Sequence, residues 1–184
     1  MLEVIRAEHR HRAVSLLDFG CGASHLYQYI REQGWESIDY AGLDLSPKFI
    51  ALSRSKFPDR PYFQLDILEA TASELPMFDY IVLNGVLTEK GEMSLDQMWD
   101  YARQLLCAVF AKARVGIAFN VISNQVDWER SDLFHLPLDK LVSFLTRRLS
   151  RHFIIRQDYG LFEYTTYVYQ DAANSSDKKG RGPG

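Results

Sequence analysis

VSLLDFGCGASHLYQYI, running from Val14 to Ile30, is the stretch on which the reading of this chain turns. An apolar run of strand length ends in Asp18, Gly20 and Gly22 follow, and a helical pattern with Leu26, Tyr29 and Ile30 on one face begins at once. Strand, glycine turn and helix together form a nucleotide cradle. Glycine serves where the backbone must take positive φ or lie against a ligand with no Cβ between them. The helix N-terminus adds unpaired N–H donors. Ser24 stands where it would cap that helix, and Gly34 would close it. Cys21 reads as a small filler of the turn in preference to a reactive thiol.

Which nucleotide is decided further along. A dinucleotide fold needs a third glycine three places after the second, and His25 stands there. The chain also lacks a Tyr-x-x-x-Lys pair, so nicotinamide chemistry is disfavoured. The next strand, Ile38 to Leu43, ends in Asp44, followed by Ser46-Pro47 as an N-cap with proline in the first helical position. Asp44 lies close to the offset of ~20 residues at which a strand-end carboxylate accepts from ribose hydroxyls. A third strand, Tyr62 to Leu65, ends in Asp66-Ile67, and a fourth, Phe78 to Leu83, ends in Asn84-Gly85. All these groups fall at carboxyl ends of strands, where open α/β sheets bind ligands.

The remaining pattern completes an α/β sheet. Ser94-Leu95-Asp96-Gln97 is a capping box opening a helix to about Ala113, and Arg114 to Val121 makes a fifth strand. A polar loop from Ser123 to His135 carries Trp128, and a second helix spans about Pro137 to Leu149. Two last strands, Phe153 to Asp158 and Tyr164 to Tyr169, are joined by too few residues for a parallel crossover and must pair antiparallel if they pair directly. The expected fold is therefore a Rossmann-like, doubly wound, mostly parallel sheet with a C-terminal antiparallel hairpin, occupying residues 14–170. Residues 1–13 form a short leading segment with the makings of an amphipathic helix, and 171–184 a polar, disordered tail.

Composition narrows the partners. With 184 residues and 47% hydrophobic content the chain can bury a real core, and its net charge of −3 offers no general attraction to nucleic acid or an anionic membrane. There is no signal-peptide pattern and no apolar run of spanning length, so a cytoplasmic protein is expected. Cys21 and Cys107 have no metal-ligand spacing and read as reduced thiols.

Asp18, Gly20 and Gly22, with Ser24 in the last slot, resemble motif I of the class I S-adenosylmethionine (SAM) methyltransferases. The later segments GIAFNVIS, VDW and RQDYGLFEYTTYVY look like a small bacterial branch of that family. The resemblance implies SAM as cofactor and S-adenosylhomocysteine as product. It also implies a cofactor site made by Asp18, Gly20, Cys21, Gly22, Asp44, Leu45, Asp66, Ile67 and Asn84. Asp66 and Ile67 would read adenine, and Asn84 would meet the sulfonium and the acceptor. The departures are Ser24 in place of glycine and a short segment before the first strand, where the family usually carries a longer helical lid.

The mechanism implied is in-line attack on the sulfonium methyl, which needs no metal and no covalent intermediate. A base is required only if the acceptor is protonated, and His135 is the best candidate. The expected pocket lies between the Asn84–Met93 and Ser123–His135 loops. Leu87, Met93, Trp128 and Phe134 there mix with Asn84, Glu89, Asp127 and His135, which suits a partly apolar small molecule with an oxygen or nitrogen nucleophile. The competing expectation is a degenerate SAM-binding module with a regulatory role.

Overall fold

In the computed structural model of the chain, the described residues are 1–6, 9, 12–71 and 74–171. The tail expected at 171–184 lies outside them beyond Asp171, as do residues 7, 8, 10 and 11 of the leading segment.

Strand β1 (Val14–Phe19) is parallel to β2 (Ile38–Leu43) on one side and to β4 (Phe78–Leu87) on the other. Beyond β2 comes the short β3 (Tyr62–Phe63), and beyond β4 the parallel β5 (Ala113–Ser123). Strand β8 (Glu163–Tyr169) pairs antiparallel with both β5 and β7 (Phe153–Arg156), giving the order β3-β2-β1-β4-β5-β8-β7. The chain winds outward from β1 to β3, then returns to β4 on the other side of β1. The point where strand order reverses therefore lies between β1 and β4, directly above the glycine turn.

Helices cover both faces, which is why β1 reads as a continuous apolar run with no alternation. Leu17, Phe19, Ile81, Leu83 and Phe119 pack with Leu105, Leu106 and Val109 of α3 (Leu95–Lys112). Their strand neighbours Leu16, Tyr40, Tyr80 and Val82 turn the other way and pack with Ile30 of α1 (His25–Glu32) and Ile50 of α2 (Pro47–Lys56). The capping box forms as expected, with the Ser94 hydroxyl accepting from the Gln97 N–H and the Gln97 side chain accepting from the Ser94 N–H.

Several boundaries differ from expectation for identifiable reasons. Among the described residues of the leading segment, Leu2–Val4 form a 3-10 turn where the expectation is an amphipathic helix. Strand β3 stops at Phe63. Strand β4 runs past Asn84 to Leu87, because Gly85, at φ +77°, lets an irregularity absorb the turn and pairing with β5 resume at Leu87. His135 is not in the loop but in β6 (His135–Leu136), beside the end of β5. The last helix changes winding midway, α4 (Leu138–Phe144) being followed by a π-helical turn, Leu145–Leu149. Among the described residues, no helix is long and apolar enough to cross a membrane.

Strands β2 and β3 and the turn itself are in close contact at Gly42, where an added Cβ would lie 2.6 Å from the Tyr62 ring and 2.9 Å from the Cys21 Sγ. Overpacking of this kind costs roughly 1–3 kcal/mol. Gly42→Ala should lower the urea midpoint accordingly with an unchanged m-value.

Candidate active site

The turn after β1 is tied to the end of β2 through its backbone. The Gly20 and Cys21 N–H groups both donate to the Leu43 carbonyl, at 2.8 and 2.9 Å, and the Gly22 N–H donates to the Asp44 carboxylate at 2.9 Å. Gly20 sits at φ +73°, and a Cβ there would lie 2.6 Å from the Val86 side chain. At Gly22, also at positive φ, a Cβ would meet nothing within 4 Å. One glycine is thus required by its protein neighbour, and the other leaves backbone open to a ligand.

Ser24 does not cap α1. It is left-handed itself, at φ 58°, and its hydroxyl is turned inward onto Ser53 (2.8 Å) and Tyr62 (3.0 Å), while the Ser53 hydroxyl donates to the Gly22 carbonyl at 2.8 Å. A non-glycine residue in this conformation costs about 1–2 kcal/mol, which a fully satisfied buried hydroxyl network can offset. His25 is exposed on the first turn of α1.

The three strand-end acids have three different environments. Asp18 is buried under the turn with the Tyr40 hydroxyl donating to it at 2.9 Å. Burial raises its pKa to about 7, the Tyr40 bond opposing and the Asp44 charge adding to the rise. Asp44 is half-buried; one oxygen accepts from Gly22 and the other from the Ser46 N–H at 2.8 Å. Each oxygen retains a second acceptor position. Asp66 accepts from the Leu68 N–H at 2.9 Å through one oxygen only, beside the buried Ile67. Leu45 is exposed next to Asp44. Cys21 is buried in the turn, and desolvation first, then the charges of Asp18 and Asp44, push its thiol up to about 12, so it is filler and not a nucleophile.

Across the reversal point stands Asn84, exposed and lining a groove of about 840 Å³. The following Gly85 N–H donates to Asn120 Oδ1 at 2.8 Å, and the Asn120 amide donates to Glu163 at 2.8 Å. This pair escaped the sequence reading. The available signal was a lone amide in the apolar strand GIAFNV, which in a buried position must be bonded on both ends.

His135 is buried, with Nδ1 at 2.9 Å from the Ser123 carbonyl and Nε2 accepting from the Arg130 N–H at 3.2 Å. A carbonyl only accepts, so the proton is on Nδ1 and the Nε2 lone pair is engaged. Trp128, Asp127 and His135 line a second cavity of about 290 Å³, whereas Leu87 and Phe134, expected at the pocket, belong to the core. Among the described residues no cluster of His, Cys, Asp or Glu is arranged to hold a metal.

A parallel sheet of this order, closed by an antiparallel β8-β7 pair and carrying a glycine turn at the point of reversal, defines a class I SAM-dependent methyltransferase fold. The chain belongs to a methyltransferase domain family whose model matches residues 17–108. It is 30% identical over 157 residues to the Mycobacterium tuberculosis protein named "Putative methyltransferase Rv1506c", covering 84% of this chain and 92% of that one. Among solved structures it resembles magnesium protoporphyrin IX methyltransferase from Synechocystis PCC 6803 with bound S-adenosylhomocysteine (TM-score 0.65, 10% identity, 90% of this chain and 78% of that). It also resembles DesVI from Streptomyces venezuelae (TM-score 0.60, 14% identity, 88% and 86%). At these identities the likeness is one of fold.

Because Asp18 is harder to ionise in the folded protein than in the unfolded chain, the native state binds its proton more tightly. The stability this contributes is fully present below the unfolded pKa near 4 and is lost as pH rises through about 7. Asp18→Asn, neutral throughout, should gain on wild type across that window by an amount on the order of a few kcal/mol. Urea unfolding of both proteins without ligand at pH 5, 6, 7 and 8 checks this; a constant gap would show that Asp18 titrates normally.

Proposed function

We propose that this methyltransferase moves the methyl group of SAM to a small-molecule acceptor, releasing S-adenosylhomocysteine. The observation that carries the reading is the placement of the Gly20–Gly22 turn, Asp44, Asp66 and Asn84 along the carboxyl edge of the sheet, with the turn and Asn84 on the two sides of the strand reversal.

The residues present fit the cofactor. The open face of Gly22 admits a ligand against the backbone, and the unused acceptor positions of Asp44 suit a ribose diol. Asp66 has an oxygen left that would accept from an exocyclic amine, and the Ile67 N–H would donate to a ring nitrogen. When bound, SAM supplies a methyl already activated by its sulfonium. What the chain contributes is alignment: Asp44 orients the ribose, the turn limits the approach, and Asn84 stands at the edge where the acceptor enters. His135 acts in this reading as a strut, not a base. Its two ring nitrogens join Ser123 to Arg130 and hold the loop that walls the acceptor side.

Calorimetry with SAM on wild type and Asp44→Ala tests the cofactor assignment. Loss of a charged, two-point acceptor should cost about 2–3 kcal/mol of binding, and undiminished affinity would overturn it. Asp66→Ala should also weaken SAM while leaving the thermal midpoint of the ligand-free protein nearly unchanged, because its carboxylate holds only the Leu68 N–H. His135→Ala should lower the thermal midpoint; a stable variant with reduced turnover at saturating substrate would restore the base role.

A further inference from the structure

The cavity at the far end of β5 has a charge pattern that the cofactor does not explain. Its wall is apolar, made by Val126, Trp128, Leu161 and Phe162, and Trp128 is 73% exposed at the mouth. Four polar side chains complete it: Asp127, Arg130, His135 and Glu163. Two of these are already neutralised or engaged. Arg130 makes a two-point pair with Asp132, at 3.1 and 2.5 Å, and His135 has both nitrogens bonded. The charges left without an ion pair among the described residues are both negative, Asp127 and Glu163. The Met1 ammonium interacts favourably with Glu163 through space but forms no ion pair with it.

Glu163 is also the polar residue common to both hollows, since it lines the larger groove together with Asn84. Its position is fixed from behind by the Asn120 amide, which in turn holds Gly85. A carboxylate anchored one side chain away from the Asn84–Gly85 strand end, lining both hollows and sharing the smaller one with an exposed indole, selects for a cation or its conjugate amine. It repels carboxylate and phosphate groups.

Resting on the methyl-transfer reading above, we propose that the acceptor is an amine carried on an apolar or aromatic body, with the body in the Trp128–Phe162 cavity and its nitrogen at Glu163. The amine attacks as the free base. Its lone pair forms the N–CH3 bond as the S–CH3 bond breaks, and that electron pair stays on sulfur. Positive charge thus leaves sulfur and arrives on nitrogen beside Glu163, so the carboxylate stabilises the transition state more than the ground state. The surplus proton leaves to water from the methylated ammonium.

The test uses the full chain with radiolabelled SAM and four probes: tryptamine, phenethylamine, phenethyl alcohol and 3-phenylpropionate. Label should pass to the amines and not to the alcohol or the acid. Glu163→Gln should lower kcat/KM for the amines about 10-fold or more while SAM affinity by calorimetry is unchanged. Trp128→Ala, a change at an exposed position, should raise KM for tryptamine with kcat preserved, which keeps the proposal testable if Glu163→Gln does not fold. Preferred transfer to the alcohol or acid, or full amine transfer by Glu163→Gln, overturns it. SAM binding with neither amine methylated overturns the amine assignment and leaves the cofactor reading standing. Absence of SAM binding removes the underlying reading itself.

Discussion

The attachment of the Gly20–Gly22 turn to the end of β2 is the constraint on which the rest of the site depends. Three consecutive N–H groups are spent on it, two on the Leu43 carbonyl and one on the Asp44 carboxylate. Asp44 is therefore a structural acceptor for the turn, and in the proposed reading it is also the acid that meets a ribose. A single carboxylate can serve both because each of its oxygens accepts more than one hydrogen bond. Underneath, Ser24, Ser53 and Tyr62 form a buried hydroxyl chain that allows a serine in a left-handed conformation where a glycine is usual.

The two sides of the strand reversal are built differently. On the β1–β2 side the N–H groups of the turn are held by the Leu43 carbonyl and the Asp44 carboxylate, and the buried Asp18, with a neutral form favoured up to about pH 7, can stay uncharged beneath the turn. Pairing it with Tyr40, whose phenol burial holds far above its usual range, keeps the donor in place. On the β4–β5 side the polar groups are satisfied by side chains, through Gly85, Asn120 and Glu163. That second network ties the irregular end of β4 to the antiparallel strand β8, so the hairpin that ends the sheet also shapes the side on which the proposal places the acceptor.

Much of this was legible in the residues themselves. Asp18, Gly20 and Gly22, the acids at Asp44 and Asp66, the Asn84-Gly85 dipeptide and the Ser94 capping box are local patterns. Each depends on positions a few residues apart, which a strand, a turn or a helix end brings together by its own geometry. The antiparallel final pair was legible for a similar reason, since a short connection leaves no room for a crossover.

What the tertiary structure alone decided were the contacts between residues distant in the chain. His135 looked like a loop histidine because a two-residue strand has no periodicity to announce it, and only its pairing beside β5 buries the ring and engages both nitrogens. Ser24 looked like a cap because its partners, Ser53 and Tyr62, lie on another helix and another strand. Leu87 and Phe134 looked like pocket residues, yet β4 continues past its glycine and carries Leu87 into the core, where Phe134 also packs. The carboxylate of Glu163 gained its place only because β8 inserts between β5 and β7. The sequence determined which groups stand at the strand ends, because local geometry is written in neighbouring residues; strand order decided which of them face one another, because that depends on burial summed over the whole sheet.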